Sequence, residues 1–242
     1  MTIYAIIPAR YDSTRFPGKP LADINGSPMF KWVYDACKSC HLIHKTILAT
    51  DDIRIFNAAK SYGYNVHLNP FHEVKSGTDR VYECAIKLDL KPDDLILNVQ
   101  GDEPLITSEH LSSLIQHMLD HPRSKIATLA TPIGYPKAIS PDTVKVVFNN
   151  CNQALYFSRQ TIPHNAIHYH KHIGIYAFRL SALSLFCNLP PSSLETSEKL
   201  EQLRALQHGI TIDIVITQND TISVDTPQDL NRVISHLSQI TQ

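Results

Sequence analysis

The run Leu95-Ile-Leu-Asn-Val99 is apolar at consecutive rather than alternate positions. A strand of that kind needs cover on both faces, which places it inside a parallel sheet with helices on either side. The first half of the chain supplies the remaining parts. Ile3–Pro8 and Lys45–Ala49 read as further strands. Between them, Phe30, Val33, Tyr34 and Cys37 fall at i, i+3, i+4 and i+7 of a helix, after a loop that runs to Pro28. Helical periods follow from Ile53 to about Tyr62 and from Thr78 to about Leu88. Ser108 is placed to cap another, with Leu111, Leu114, Ile115 and Met118 on one face. The first half therefore predicts a βαβαβ unit with a parallel sheet.

Beyond Pro122 the pattern changes. Ile126–Ala130, Val144–Phe148, Ala154–Phe157, Ile173–Phe178 and Ile212–Thr217 predict strands, with one helix near Glu195–Gln207 among them. Thr226-Pro-Gln-Asp229 then combines a capping hydroxyl, a first-turn proline and an acid at the third position. It opens a last helix whose buried face is Leu230, Val233, Ile234 and Leu237. The expectation is one compact α/β domain over 1–242, with extra strands at about 130–180 forming a small β-rich lobe. At 43% hydrophobic and 19% charged, the chain has ample material for a core.

Charge excludes some partners. The chain carries 22 Lys+Arg against 23 Asp+Glu, so it lacks the basic excess expected of a nucleic-acid binder. No apolar run reaches the length of a membrane span. Five cysteines at irregular spacing argue against a disulfide framework and for a reducing compartment, so the expected location is cytoplasmic. Cys37-x-x-Cys40 resembles a redox motif, but its place on the apolar side of a helix reads as core. His164, His168, His170 and His172 lack carboxylate or Cys partners at zinc spacing and read as a loop, His172 being the one to single out.

In an open parallel sheet ligands gather at the carboxyl ends of the strands. The loop after the first strand, Pro8-Ala-Arg10-Tyr-Asp-Ser13-Thr-Arg15-Phe-Pro-Gly18-Lys19-Pro20, matches neither common glycine-rich phosphate fingerprint. It offers Arg10, Arg15 and Lys19 instead, a cation set suited to a polyphosphate, with Gly18 where backbone can approach a ligand. The buried strand ends in Gln100-Gly101-Asp102-Glu103, whose acids suit a Mg²⁺ ligand, Gly101 being read as the turn that aims Asp102. Asp225, beside the last helix, is an accessory cap on its own and a second metal ligand if the fold brings it to Asp102.

These residues stand in longer blocks. Pro8-Ala-Arg-Tyr-x-Ser-Thr-Arg-x-Pro-Gly-Lys-Pro-Leu21, Ala49-Thr-Asp-Asp52, Ser76-Gly-Thr-Asp-Arg80 and Asn98-Val-Gln-Gly-Asp-Glu-Pro104 come first. Ala154-Leu-Tyr-Phe-Ser-Arg159, His172-Ile-Gly-Ile-Tyr176, Leu200-Glu-Gln-Leu-Arg204 and Val224-Asp-Thr-Pro227 follow in that order. The set resembles the 3-deoxy-manno-octulosonate cytidylyltransferases, or CMP-Kdo synthetases, from residue 3 to about 235. It departs from their pattern in a short stretch from Pro163 to Lys171 and in Ser223, where Gly is usual.

The resemblance implies a Rossmann-like, mostly parallel nucleotidyltransferase fold and a homodimer. It also implies a Mg²⁺-dependent transfer of CMP from CTP to Kdo, with pyrophosphate as the other product, for lipopolysaccharide synthesis. In that reading the anomeric hydroxyl of Kdo attacks the α-phosphorus in line, and no side chain is required as general base. Arg10, Arg15 and Lys19 would hold the triphosphate, with Ala9, Ser13 and the turn Ser76, Gly77 and Thr78 around the cytidine. Asp102 and Asp225 would bind Mg²⁺. Arg80, Gln100, Arg159, His172, Tyr176, Glu201 and Gln202 would line the sugar site. Arg159 and His172 are the first candidates for the sugar carboxylate, which needs a cationic or donor-rich seat; Arg80 and Gln100 are the second. Sugar-site residues follow from the resemblance alone. The alternatives are a cytidylyltransferase for another acidic sugar and a catalytically silent nucleotide-binding protein on the same fold.

Overall fold

A computed structural model describes residues 1–69, 74 and 76–240. The chain divides into two compact units, Met1–Ser112 with Thr221–Gln242, and Ser113–Asp220.

In the first unit, β1 (Ile3–Ala9) lies between β6 (Leu95–Asn98) and β4 (Lys45–Thr50), with β5 (Val66–Leu68) outside β4, and all four strands run parallel. Burial at every residue of β6 and at all but Tyr4 of β1 explains the unbroken apolar runs. The helices are α1 (Met29–Ser39), α2 (Ile53–Ser61) and α3 (Gly77–Lys87). The α1 face is the expected one, with Met29 added to Phe30, Val33, Tyr34 and Cys37. Asp52 caps α2 by accepting from Arg54 N, and Ser76 caps α3 by accepting from Asp79 N. After β5 and α3 the chain returns to the far side of β1. The strand order thus reverses between β1 and β6, where ligand crevices form.

Two features of this unit carry no periodic signal. A short 3-10 turn, Lys19–Leu21, and a two-residue hairpin of β2 (Asp23–Ile24) and β3 (Ser27–Pro28) fold the long loop after β1. The last helix, which is α9 (Pro227–Ile240), returns to that hairpin. Val224 and Val233 are buried with Ile24 and Met29, and Phe16, Trp32, Leu105, Leu230, Ile234 and Leu237 close the cluster. Trp32 donates its Nε1–H to Ile24 O at 3.1 Å. Burying each valine contributes about 1.5–3 kcal/mol, which fixes the segment before α9 against the loop after β1.

Between these parts, α4 (Ser108–Asp120) spans the sequence boundary of the units, its Leu111, Leu114, Ile115 and Met118 fully buried. Ser108 is its first residue rather than its cap. The Thr107 hydroxyl lies 2.8 Å from His110 Nδ1.

The second unit is a mixed sheet. Its central strand β7 (Ile126–Ile133) pairs antiparallel with β10 (Tyr169–Arg179) and parallel with β11 (Asp213–Ile216). On the other side of β10, β8 (Lys145–Phe148) pairs with it and with β9 (Ala154–Ser158), both antiparallel. The β-rich stretch expected at 130–180 lies inside this unit. Strand β10 begins earlier than expected, so His170 and His172 are strand residues rather than loop. The connections include α5 (Tyr135–Ala138) and α6 (Leu180–Asn188), both without a sequence signal. Leu180-Ser-Ala-Leu-Ser-Leu-Phe-Cys is too evenly apolar to show a 3.6-residue period.

The single helix expected at Glu195–Gln207 is two, α7 (Ser193–Glu198) and α8 (Leu203–Gln207). Ser192 and Glu195 form a capping box at the start of α7, and Lys199, left-handed at φ 54°, ends it. Arg204 of α8 grips Glu195 through Nε at 2.8 Å and Nη2 at 2.5 Å, holding the two short helices together.

All five cysteines are free thiols, and Cys37, Cys40 and Cys84 are buried. Burial pushes the Cys37 thiol far up, which makes it inert rather than redox-active. Among the described residues no helix is long and apolar enough to cross a membrane.

Candidate functional site

The loops after β1 and β6 meet at one ammonium. Lys19 Nζ donates to Asp102 Oδ2 at 2.7 Å, to the Val224 carbonyl at 2.8 Å and to Asp225 Oδ1 at 3.4 Å. The backbone closes the same contact from behind, since Val224 N donates to Asp102 O at 2.8 Å. Arg15 Nη2 reaches Asp225 Oδ1 at 3.0 Å from the solvent side, while Arg10 is exposed at the end of β1. The two acids expected to share a ligand are thus brought together.

Asp225 does not serve as a cap. Asp229 takes that role, its Oδ2 accepting from Thr226 N at 3.0 Å and Thr226 Oγ1 at 2.8 Å, while Thr226 Oγ1 accepts from Asp229 N. The Asp225 carboxylate is left for the cations.

Two glycines shape the loops. Gly18 is left-handed at φ 70° where the 3-10 turn begins, and a side chain there would press on the Tyr11 ring. That ring is covered on its own account by Arg54, whose guanidinium stacks 3.2 Å from the ring centroid while forking onto Asp52. Gly101 lies in the turn after β6, as expected. It is not left-handed; a Cβ there would stand 2.8 Å from Pro8 O, so Gly is required for close approach of the β6 end to β1.

The fit of a hard divalent cation can be tested on this geometry. Two carboxylates and a carbonyl, an all-oxygen set, already converge on the ammonium of Lys19. Mg²⁺ binds through one or two carboxylates and completes its shell with water and substrate phosphate. Among the described residues no group of three or more His, Cys, Asp or Glu could hold a metal by itself. Asp102 and Asp225 therefore suit a metal that arrives with a phosphate.

Also in the first unit, Gln100 Nε2 donates to Asn98 Oδ1 at 3.0 Å and Asn98 Nδ2 donates to Thr78 Oγ1 at 3.1 Å. The Gln100 amide lies against Gly77, where a Cβ would stand 3.2 Å away. Ser76 spends its hydroxyl on the α3 cap, so this turn offers a ligand backbone rather than hydroxyls. Ala9 is buried at the end of β1, and Ser13 is half-buried in the loop beyond it. Arg80 is buried and ion-paired with Asp51 at 2.7 Å, with its Nη1 buried and unbonded among the described residues. Asp51 stands at the end of β4, where a strand-end acid could have been suspected.

The other five expected site residues, Arg159, His172, Tyr176, Glu201 and Gln202, belong to the second unit. Arg159 follows β9. Its Nε donates to Glu198 O at 3.1 Å and its Nη1 to Pro141 O at 3.2 Å, leaving Nη2 without a partner among the described residues. Glu198, which the sequence did not single out, accepts from Arg159 N at 2.9 Å and from Ser158 Oγ at 2.7 Å.

His172 is not a cation. Burial first, then the charge of Lys171, push it down to about 3. Thr128 Oγ1 donates to Ile175 O at 2.7 Å and so accepts at 3.0 Å from His172 Nε2–H, which leaves Nδ1 as the acceptor. Of the cationic or donor-rich seat expected, the His172 ring thus brings no charge. Tyr176 stacks obliquely on His172 at 5.5 Å, and burial, reinforced by the charge of Glu201, raises its phenol well above the ordinary value. Glu201 and Gln202 sit in the turn between α7 and α8, not along a helix.

A cytidylyltransferase family model matches residues 4–212. A protein of Nitratidesulfovibrio vulgaris (strain DP4) named 3-deoxy-manno-octulosonate cytidylyltransferase is 46% identical over 246 residues, covering 98% of this chain and 97% of its own. One of the same name from Lawsonia intracellularis is 44% identical, covering 98% and 94%. A solved structure described as CMP:2-keto-3-deoxy-manno-octonic acid synthetase complexed with CTP superposes at a TM-score of 0.92 with 39% identity, covering 99% of both chains. A Leptospira borgpetersenii cytidylyltransferase at 18% identity, covering 99% of this chain and 87% of its own, shares the fold at a TM-score of 0.67.

Proposed function

The chain belongs to the cytidylyltransferase family, and we propose that it transfers CMP from CTP to the anomeric hydroxyl of Kdo, releasing pyrophosphate. The observation that carries this reading is the convergence of Asp102, Asp225 and Arg15 with Lys19 at the strand-order reversal between β1 and β6. The name shared by the relatives at 44–46% identity supports the choice of sugar.

Attack of the sugar hydroxyl on the α-phosphorus breaks the bond to the β-phosphate oxygen, and the hydroxyl proton leaves to solvent. Such a transfer asks for positioning and charge neutralisation more than for a proton carrier. Asp102 and Asp225 would hold Mg²⁺, which supplies Lewis-acid polarisation of phosphate when bound. Lys19, Arg15 and Arg10 hold the phosphates and offset charge on the departing pyrophosphate. The strand end at Ala9, with Ser13 and the turn Ser76, Gly77 and Thr78, cradles the cytidine. Arg159, in the second unit, is the first candidate to seat the sugar carboxylate, and Arg80 and Gln100, in the first unit, are the second. Neutral His172 accepts a sugar hydroxyl at Nδ1, and Tyr176, Glu201 and Gln202 complete the lining. The chain acts as a cytoplasmic homodimer feeding lipopolysaccharide synthesis.

Pyrophosphate release from CTP and Mg²⁺ tests this, with Kdo, a sialic acid or no sugar, and EDTA as control. Release that needs Kdo and stops with EDTA is the expected result. Release with the sialic acid alone would move the substrate and keep the chemistry. Silence with both sugars while CTP still binds would leave a nucleotide-binding protein without this activity.

A further inference from the structure

The second unit holds a charged group that the proposed chemistry does not use. Lys145, on β8, has no exposed surface at all. Among the described residues its ammonium meets no carboxylate; its three N–H groups go to three backbone carbonyls, Ser140 at 2.9 Å, Thr143 at 2.5 Å and Arg159 at 2.6 Å. Burial, and after it the charge of Arg159, pull the lysine down from its ordinary value, with Glu198 opposing. A buried ammonium is costly unless fully bonded, and the cheaper alternative of an apolar side chain would take this donor from all three carbonyls, of which Ser140 O keeps Thr143 N at 3.2 Å.

The three carbonyls have one residue in common. Ser140 and Thr143 bracket Pro141, whose own carbonyl accepts from Arg159 Nη1. Lys145 thus holds the backbone of Arg159 directly and the acceptor of its guanidinium through the 140–143 loop. Glu198 completes the clamp from α7, through Arg159 N and Nε. Ser158, the residue before Arg159, faces Lys145 in the β8–β9 register. We infer that Lys145 is a positioning residue for Arg159, setting the direction of its guanidinium toward the acidic sugar; this rests on the reading of Arg159 as a sugar-carboxylate seat.

The test is a double-mutant cycle of Lys145→Met and Arg159→Ala, with KM for Kdo and for CTP measured separately. Misplacing a binding group by a fraction of an ångström to an ångström costs about tenfold to a hundredfold, so Lys145→Met is expected to raise KM for Kdo by at least about tenfold. KM for CTP stays within about twofold, and in the Arg159→Ala background Lys145→Met adds no more than about twofold, because the two act as one unit. Lys145→Arg, which restores donors, regains part of the loss. Parallel rises in both KM values, or losses that multiply in the double variant, would overturn the inference. If Lys145→Met gives no cooperative melt, Lys145→Arg carries the test: a rise confined to KM for Kdo supports positioning, and a parallel change or none overturns it. An Arg159→Ala variant with unchanged KM for Kdo would instead remove the sugar-seat reading itself.

Discussion

Lys19 and Lys145 are both held by three oxygens, yet they are opposite devices. Lys19 keeps 13% of its side chain exposed and faces two carboxylates that can accept another cation. Lys145 has no exposure and faces three backbone carbonyls, which carry no charge to attract another cation. The first ammonium sits among exchangeable partners, as a phosphate- and metal-handling site requires. The second is a fixed part of the backbone. Whether a buried-side lysine takes part in chemistry or in architecture is decided here by what holds it, not by its charge.

The sharpest way to break that comparison is through the carboxylates. Asp102→Asn and Asp225→Asn should each lower turnover at least about a hundredfold at saturating Mg²⁺, since each removes charge from the reacting centre. Their thermal melts should stay close to that of the parent chain. Near-normal turnover in either variant would sink the metal assignment. A collapse of the melt with full loss of turnover would make the Lys19 cluster as structural as that of Lys145.

The lysines themselves should then separate on stability. Lys145→Met takes a buried donor from three carbonyls, of which Ser140 O keeps Thr143 N, and is expected to cost about 3 kcal/mol in urea unfolding. Lys19→Met leaves two partly exposed acids that water and cations can screen, for under about 1 kcal/mol. The reverse order would overturn the distinction.

How far each lysine could be read from the sequence follows from the same contrast. The first unit was legible, short β5 excepted, because its central strands are mostly buried apolar runs and its site is made of side chains: Arg15, Lys19, Asp102 and Asp225 are visible as letters. What stayed hidden was the meeting of Asp225 with Asp102, which depends on α9 burying Val224 and Val233 beside Ile24. In the second unit the strands were legible and the site was not. Lys145 and Arg159 are organised by carbonyls of Ser140, Pro141, Thr143 and Glu198, and a carbonyl leaves no mark on residue identity. The break before Glu201 was hidden for a related reason. Lys199 adopts the left-handed conformation usually signalled by Gly, so nothing in the letters ends the helix there.

Beside charged Lys145 the second unit also buries a neutral ring, His172, and pH sharpens the contrast. His172 folds with its ring near 3 against an ordinary 6.5. Burial lowers His170 of this unit as well, and His67 of the first. Between those limits the unfolded chain takes up protons that the folded chain refuses. Stability is therefore full above about pH 6.5 and falls as pH drops toward 3. Carboxylates held low, among them Asp52 and Asp229, add their loss only at lower pH, below their ordinary 3.8. A decline in melting temperature from pH 6.5 to 5 is thus expected, and His172→Asn should flatten it. An unchanged slope in that variant would mean the ring is protonated in the folded state.

The smallest effect belongs to Arg15. It touches the same Asp225 oxygen as Lys19, at 3.0 Å, but 62% of its side chain is exposed. An exposed pair contributes little and is screened by salt. Arg15→Ala should therefore raise KM for CTP by less than about tenfold, and the gap from the parent chain should narrow as salt rises. Lys19→Met should give the larger rise, less sensitive to salt, because its ammonium is largely withdrawn from solvent. If the two variants respond alike, burial does not distinguish the cations. The loop after β1 would then act as a diffuse positive field rather than as one inner and one outer contact.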